Sequence, residues 1–597
     1  MSSLTPGRQT RDATLIGCGF LVLACLLYWP VQPLDAHHLV FCVCSDPVQE
    51  SWFLRWVPFA AGHGHDPFFT SYVHVPYGAN LAVNTSMPLL ALLGWPVTAM
   101  LGPIATYNLL LRVGIALSGL AMYLVMRRYV RSRGAAFAAA LLFAFSPFII
   151  GHADGHLFLV FLPLVPVLVT LADDWLVTPK RSAVVCGALF GATAALQFLI
   201  SPEVLMMTGL GIAVAIGYLA ATHVHRVRHQ LRRAAVGAVS AVSAFLAIAG
   251  YSTYELLAGP LRPAGPIHPL RDWSYFHADL LSLVLPTRNV LLAPKALLAP
   301  DNSLVVGHGA EPGMYLGVPL LLAIVIIVVR LRRHPLVQVL AVTAAVGFLL
   351  ALGPRLTVDG HTALTAFVYR PLESVPLLQD VEPDRLSLLV AFSIAFLVAI
   401  GVDSVVAAAP SDQRVPRLPG MARSALTLAV VLAVALPLLP RGLASRPVHV
   451  SQLFTRDRSL IPDGARTLAY PLGAPANRGL LWQAVGAMRF RIFGGEMYVP
   501  GPGGKTDLSS TAPLPPDLAA VFAGRIFAPG PGRTTALAEE LRSFCREWHV
   551  QVVLVDSSFK PSGARLATQL VAAALAAPPT TVGGIQAWLD VPADLSR

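Results

Sequence analysis

The chain has 597 residues, 55% of them hydrophobic and only 13% charged, with a mean hydropathy of +0.64. Ordinary soluble domains carry about 25% charged residues, which excludes a single soluble globular enzyme; the 49 prolines and 47 glycines are neither clustered nor periodic, which excludes collagen-like and low-complexity chains. The net charge of +11 comes without a basic patch interleaved with aromatics, so no nucleic acid is expected as partner.

A hydrocarbon core about 30 Å thick takes about 20 apolar residues at helical rise. Windows of that kind predict spans near 14–31, 105–126, 135–150, 156–173, 183–200, 203–221, 233–251, 314–330, 336–353, 386–402 and 422–440. The first lacks a small-x-small cleavage site and runs into Tyr28-Trp29-Pro30, so it reads as an uncleaved helix. Residues 88–103 are apolar but short, and Pro88, Pro96 and Pro103 interrupt them. Taken as an interfacial segment that does not cross, with the N-terminus in the cytoplasm, this stretch keeps the basic clusters around Arg127, Lys180, Arg226, Arg330 and Arg414 inside. The positive-inside rule thus predicts about eleven transmembrane helices, with outer loops at 31–104, 252–313 and 354–385. Nearly all the basic residues are arginine and alanine is abundant, the bias of a GC-rich bacterial genome; the expected location is the bacterial plasma membrane, multi-pass.

From about residue 441 the chain changes character. RTLAYPL (466–472) and VQVVLVDSS (550–558) read as strands and ALAEELRSFCREW (536–548) as a helix. The expected organisation is a transmembrane module over 1–440 and an extracytoplasmic α/β domain over 441–597, with the turn-rich GGEMYVPGPGGK (494–505) lying against the module. The tail has no G-x-S-x-G, P-loop or H-E-x-x-H motif. Cys18, Cys25 and Cys186 read as small apolar residues, and Cys42 and Cys44 are too close along one strand for an unstrained disulfide.

Arg112 is the main charge within the predicted spans, whereas an ion-coupled pump or proton relay carries buried acids and bases. Acids, histidines and aromatics gather in the outer loops instead. Asp46 and Glu50 are four apart, so on a helix both carboxylates share a face. Such a pair can supply a general base with a raised pKa; the alternative is a helix-capping Asp46 and a solvated Glu50. His63, His65, Asp66 and His74 are metal-binding types at spacings that match no closed zinc pattern. A divalent ion stays open without assigned ligands, beside a reading as hydrogen-bonded loop residues. Asn84-Thr85-Ser86 fits the glycosylation pattern and reads as a turn in a bacterial chain. His152, Asp154 and His156 project from one outer turn and Glu203 from the next, either converging on a cavity or merely marking helix ends. Arg271 and Arg288, among Trp273, Tyr275, His277 and Asp279, suit a sugar, a lipid headgroup or an interfacial belt. Arg385 in EPDRLSL (382–388) stands at the outer start of a span, placed to clasp a phosphate, to snorkel or to pair with Asp384.

Several of these features together resemble the GT-C superfamily of polytopic glycosyltransferases. The resemblance covers roughly the first 175 residues: SDP (45–47), the Pro-bounded 88–103 leading into GPIATYNLLLRVGIALSGLAMYLVMRRYV (102–130), and RSRGAAFAAALLFAFSPFIIG (131–151). The chain is also similar to actinobacterial membrane proteins that pair QFLISPEVL (197–205) with LWQAVGAMRFRIFGG (481–495). The resemblance implies a polytopic α-helical membrane protein of GT-C type. It implies inverting transfer of a sugar from a polyprenyl-phosphate donor to a glycan or lipid acceptor in the cell envelope. It makes Asp46 the base and, more loosely, Asp154 the second catalytic acid. Glu50, Glu203, Arg271, Arg288 and Arg385 are the expected substrate-binding residues. Two departures stand out: the familiar Asp-Glu or Asp-Asp dipeptide is Asp46-Pro47, and there is no W-W-D motif. A transporter or flippase of lipid-linked saccharides, which needs a polar path through the spans, and a non-catalytic assembly partner are the alternative readings.

Overall fold

The computed structural model describes residues 6–40, 45–267, 276–294, 313–375, 378–407, 435–473, 477–508, 513–526 and 532–592. Helix α1 (Pro6–Leu27) leads to α2 (Asp46–His63), α3 (Pro88–Leu101), α4 (Pro103–Tyr129) and α5 (Arg133–Ala144). Two short helices, α6 (Pro147–His152) and α7 (Leu157–Val160), precede α8 (Leu164–Ala172), α9 (Ala183–Phe198), α10 (Pro202–Thr222) and α11 (Val224–Ala258). Helices Gly317–Arg330, Pro335–Ala351 and Ser387–Ala407 follow. Among the described residues, six helical segments are long and apolar enough to cross a membrane: Thr10–Leu27, Pro103–Tyr129, Arg133–His152, Pro202–Thr222, Gln230–Ala258 and Pro383–Val406. The chain is a multi-pass membrane protein.

One expectation changes. The stretch 156–173 is not one span: it breaks at Phe161-Leu162-Pro163, between α7 and α8, and ends in a π-helical turn over Asp173–Val177. Proline has no N–H to give a continuous helix there, and its ring clashes with the turn before it. The stretch 88–103 holds α3 (Pro88–Leu101), too short to count among the candidate spans and cut from α4 at Gly102, where φ is +90° and a side chain would be strained. The window 422–440 lies mostly outside the described residues.

Backbones approach closely where α9 meets α11. A Cβ on Gly187 would stand 2.1 Å from the Gly237 carbonyl oxygen, and one on Gly191 2.0 Å from that of Ala241. Small residues four apart are what let two apolar helices make this contact in lipid.

In the tail, five strands form one sheet in the order Thr580–Val582, Ile585–Trp588, Val552–Asp556, Ala465–Tyr470, Phe490–Ile492. The last three are parallel to one another. Side chains alternate across a strand, and here both faces are buried. Val552 and Leu554 enter a core shared with the helices, while Val553 and Val555 enter a second core with helices Pro516–Phe522, Arg533–Glu547 and Pro561–Leu575. The first loop clasps this tail twice. His38–Val40 pairs antiparallel with Ser445–Pro447. Residues 72–75 extend the sheet edge: the Ile492 N–H donates to the Tyr72 carbonyl at 2.9 Å and the Val75 N–H to that of Ile492 at 3.2 Å.

Candidate active site

Helix α2 begins at Asp46 with Pro47 in its first turn, where a missing N–H costs nothing and a carboxylate meets the positive helix end. The Asp46 carboxylate lies 2.7 Å from His156 Nε2. Asp46 keeps 35% of its side chain exposed against 5% for His156, so the pair has one buried partner and one that substrate can reach. One turn further on, Glu50 is buried and accepts the Leu157 N–H of α7 at 3.0 Å. Burial pushes the Glu50 carboxyl well above its ordinary range; nearby His156 opposes the shift and Asp46 adds to it. His156 is set by the turn after α6, where His152 Nδ1 is held by the Phe148 carbonyl at 2.7 Å and the two histidine rings meet edge to face.

Asp154 sits in the same turn, buried, beside Tyr28. The Tyr28 hydroxyl donates to the Ala153 carbonyl at 2.8 Å, and Arg112 covers the Tyr28 ring at 4.5 Å while donating to the carbonyls of Asn108 and Val31. Asp154 is thus a buried acid of the His156 turn, whereas Asp46 is the half-exposed acid.

The loop 494–505 closes over this acid pair. Ser45 and Asn477 donate to the Glu496 carboxylate, and Gln49 donates to the Glu496 carbonyl. Burial raises the Glu496 carboxyl, and the Asp46 charge adds to the shift against the hydrogen bonds from Ser45 and Asn477. Asn84 pins the next residues: it donates to the Tyr498 carbonyl at 3.1 Å and accepts the Tyr498 N–H at 2.7 Å. Burial pushes the Tyr498 phenol well up, with Glu382, Asp46 and Glu496 adding and Arg385 opposing. Tyr498 thus feels the charges of both the Asp46 cluster and the Arg385 cluster.

Arg385 is held by Glu203 at 2.8 Å and Glu382 at 2.9 Å. Its guanidinium lies 6.0 Å from the Phe158 ring, which is 6.0 Å from the His156 ring. Asp46 and Glu50 of α2, Glu203 and Arg385 are therefore brought into one neighbourhood from three separate parts of the chain. Arg271 lies outside the described residues. Arg288 is exposed in the turn before Val290, which bridges to Pro440, and not in the buried cluster of Arg385. His63 and His65 stack among Phe59 and Trp56, Asp66 accepts the Tyr251 hydroxyl, and Asp279 accepts the N–H groups of Leu281, Asp359 and Gly360, so these residues shape loops.

Among the described residues no three His, Cys, Asp or Glu side chains converge as a metal site. Asp46, Glu50 and Glu496 are each engaged by a different partner: His156, the Leu157 N–H, and Ser45 with Asn477. The sequence sets the loop 494–505 against the module but does not single out Glu496, Tyr498, Asn477 or Glu382 as partners of the site. The first three lie roughly 450 residues from Asp46, and no spacing rule connects positions that far apart.

Below Arg385 and Glu203 runs an apolar groove of about 370 Å³. Thr208, Gly211, Leu388, Leu389 and Phe392 line its upper part, and Tyr129 and Asp173 its far end. At 1.5 Å per residue, Leu388 and Thr208 lie about one helical turn below the Arg385–Glu203 pair.

Helices are gathered around a first-loop acid and locked to a carboxy-terminal sheet, an arrangement whose fold is similar to that of a solved arabinofuranosyltransferase. The arabinofuranosyltransferase AftD from Mycobacteria superposes with a TM-score of 0.53 at 14% identity, over 99% of this chain and 40% of that one. The chain thus spans about two fifths of AftD. The archaeal oligosaccharyltransferase AglB from Archaeoglobus fulgidus gives a TM-score of 0.43 at 14% identity, over 90% of this chain and 69% of that one. Residues 17–378 match the family described as Domain of unknown function (DUF6311), and the chain belongs to that family. A search of curated proteins finds no match.

Proposed function

We propose that the chain is an inverting membrane glycosyltransferase that moves a sugar from a polyprenyl-phosphate donor to a glycan or lipid acceptor of the cell envelope, on the outer face of the membrane. The N-terminus is then cytoplasmic, 1–440 is the transmembrane module, and 441–597 is an extracytoplasmic domain that walls the acceptor cleft. One observation carries the reading: a half-exposed Asp46–His156 pair stands across the Phe158 ring from Arg385, and the helices that follow Arg385 and Glu203 line an apolar groove. The groove suits a prenyl chain and gives no polar path for a flipped headgroup.

In this mechanism Asp46 takes the acceptor hydroxyl proton as that oxygen attacks the anomeric carbon. The anomeric carbon–oxygen bond to phosphate breaks, and polyprenyl phosphate leaves with the bonding pair. His156 holds the Asp46 carboxylate in place. Arg385 faces the charge that grows on the phosphate, an interaction stronger in the transition state than in the ground state. Its two carboxylate partners must yield one donor to the phosphate, so Glu203 and Glu382 tune donor affinity. Glu50 and Asp154 position the His156 turn from behind.

The test is transfer by purified protein supplied with polyprenyl-phosphate arabinofuranose, chosen first because AftD is an arabinofuranosyltransferase, and with other polyprenyl-phosphate sugars. Removing a general base lowers turnover by about 10²–10⁴, so Asp46→Asn loses that factor while still binding the donor. Transfer at the wild-type rate by the folded variant rejects Asp46 as the base.

A further inference from the structure

A second cavity, of about 630 Å³, opens between the carboxy-terminal half of α2, α3 and the tail. Arg55 is nine residues beyond Asp46 on α2, about 13 Å along the helix axis, so this cavity is separate from the Asp46 cluster. Arg55, Arg458 and Arg489 line it against a single acid, Asp463, and Phe59, Tyr72 and Trp95 supply aromatic walls.

The arginines are unequally satisfied. Arg489 is paired with Asp463 at 3.0 Å. Arg55 spends its Nε–H on the Ala484 carbonyl at 3.0 Å and has no carboxylate partner among the described residues. Burial and the like charge of Arg458 lower its pKa to about 10. Arg458 is exposed and likewise has no acid against it among the described residues. Two cations facing one open space, one of them partly desolvated, repel unless an anion enters between them. The cavity rim adds the second half of the ligand's chemistry. Trp95 stands half-exposed on α3, a helix that also exposes Leu92, Leu93, Met100 and Leu101. Tryptophan at such a boundary marks the headgroup level of a bilayer.

We propose that this cavity is a lipid site that receives the anionic phosphate headgroup of a glycerophospholipid between Arg55 and Arg458, its acyl chains lying along α3 past Trp95. The ligand is neither donor nor acceptor. It wedges α2 against the tail turn Gly486–Arg489 and so stiffens the helix that carries Asp46.

The experiment uses the full chain purified in a neutral detergent, with its unfolding midpoint followed by tryptophan fluorescence. The added probes are phosphatidylglycerol, phosphatidylcholine with the same acyl chains, polyprenyl phosphate and inorganic phosphate. Phosphatidylglycerol is expected to raise the midpoint saturably and phosphatidylcholine to do so only weakly. Loss of one charge-assisted phosphate contact weakens binding about tenfold, so Arg458→Glu and, separately, Arg55→Gln each shift half-saturation up by that factor. Trp95→Ala weakens it too, and Arg565→Glu, the same charge change as Arg458→Glu at an exposed position of a tail helix, leaves it unchanged. The proposal is overturned by equal responses to the two phospholipids, by wild-type half-saturation in both arginine variants, or by saturation with inorganic phosphate or polyprenyl phosphate in place of phosphatidylglycerol. Failure of sugar transfer leaves this lipid titration readable, so the two proposals fall separately.

Discussion

Glu50 is the residue whose environment most constrains pH behaviour. Its folded carboxyl keeps a proton that the unfolded chain gives up above about pH 4.3. The unfolded state then binds fewer protons, so stability falls as pH rises through and beyond that value. Glu50→Gln removes this slope: its unfolding midpoint should decline less than the wild type's between about pH 5 and 8. Parallel midpoint–pH curves for the two proteins would reject a proton-retaining Glu50. Asn84 gives a second test. Asn84 is buried, its paired hydrogen bonds to the Tyr498 backbone are part-buried, and stranding such groups costs about 1–3 kcal/mol. Asn84→Ala should lower the midpoint accordingly and raise protease cleavage within 494–505; resistance equal to wild type would show that other contacts hold the loop. In sequence this asparagine is only a glycosylation pattern, because nothing local connects it to Tyr498. The four-residue spacing of Asp46 and Glu50 is legible, since helical geometry alone sets it.

The α9–α11 pair carries the clearest prediction about an element. A methyl group at Gly191 would enter the van der Waals radius of the Ala241 backbone, which cannot swing away as a side-chain tip does. Gly191→Ala should destabilise by about 1–3 kcal/mol or more, the usual range for overpacking. Gly209, which has nothing within 4 Å of its Cβ position, is the control: Gly209→Ala should be neutral or slightly stabilising, as in most helix interiors. Equal unfolding midpoints for the two variants would mean that the helices do not meet as described. Apolar runs reveal where these helices lie but not which faces touch. The same limit explains 156–173. Its hydropathy is that of a span, yet Pro163 and the turn carrying His156 divide it into pieces that position side chains.

For the molecule as a whole, the first loop and the tail form one packed unit. Trp52 Nε1 donates to Gln483 Oε1 at 2.9 Å, and Gln483 in turn donates to the carbonyls of Tyr72 and Phe490 at 2.8 Å each. Removing everything after residue 444 would uncover this polar network and the apolar face of α2 together. The truncated chain should aggregate on size-exclusion chromatography in detergents where the full chain is monodisperse. A monodisperse truncated protein with its helices intact would show that the module folds without the tail.

Sequence alone determined the membrane class, the placement of most helices, the two central strands of the tail and the gathering of polar groups in the loops. These follow from hydropathy and local periodicity, which act over a few residues. Tertiary structure alone decided that Asp46 meets His156, that Arg385 is shared between Glu203 and Glu382, and that Glu496 and Tyr498 return from the far end of the chain to the same place. Those contacts depend on how separately formed elements pack. Burial and charge then act between side chains that are neighbours only after packing, and no one-dimensional pattern records that neighbourhood.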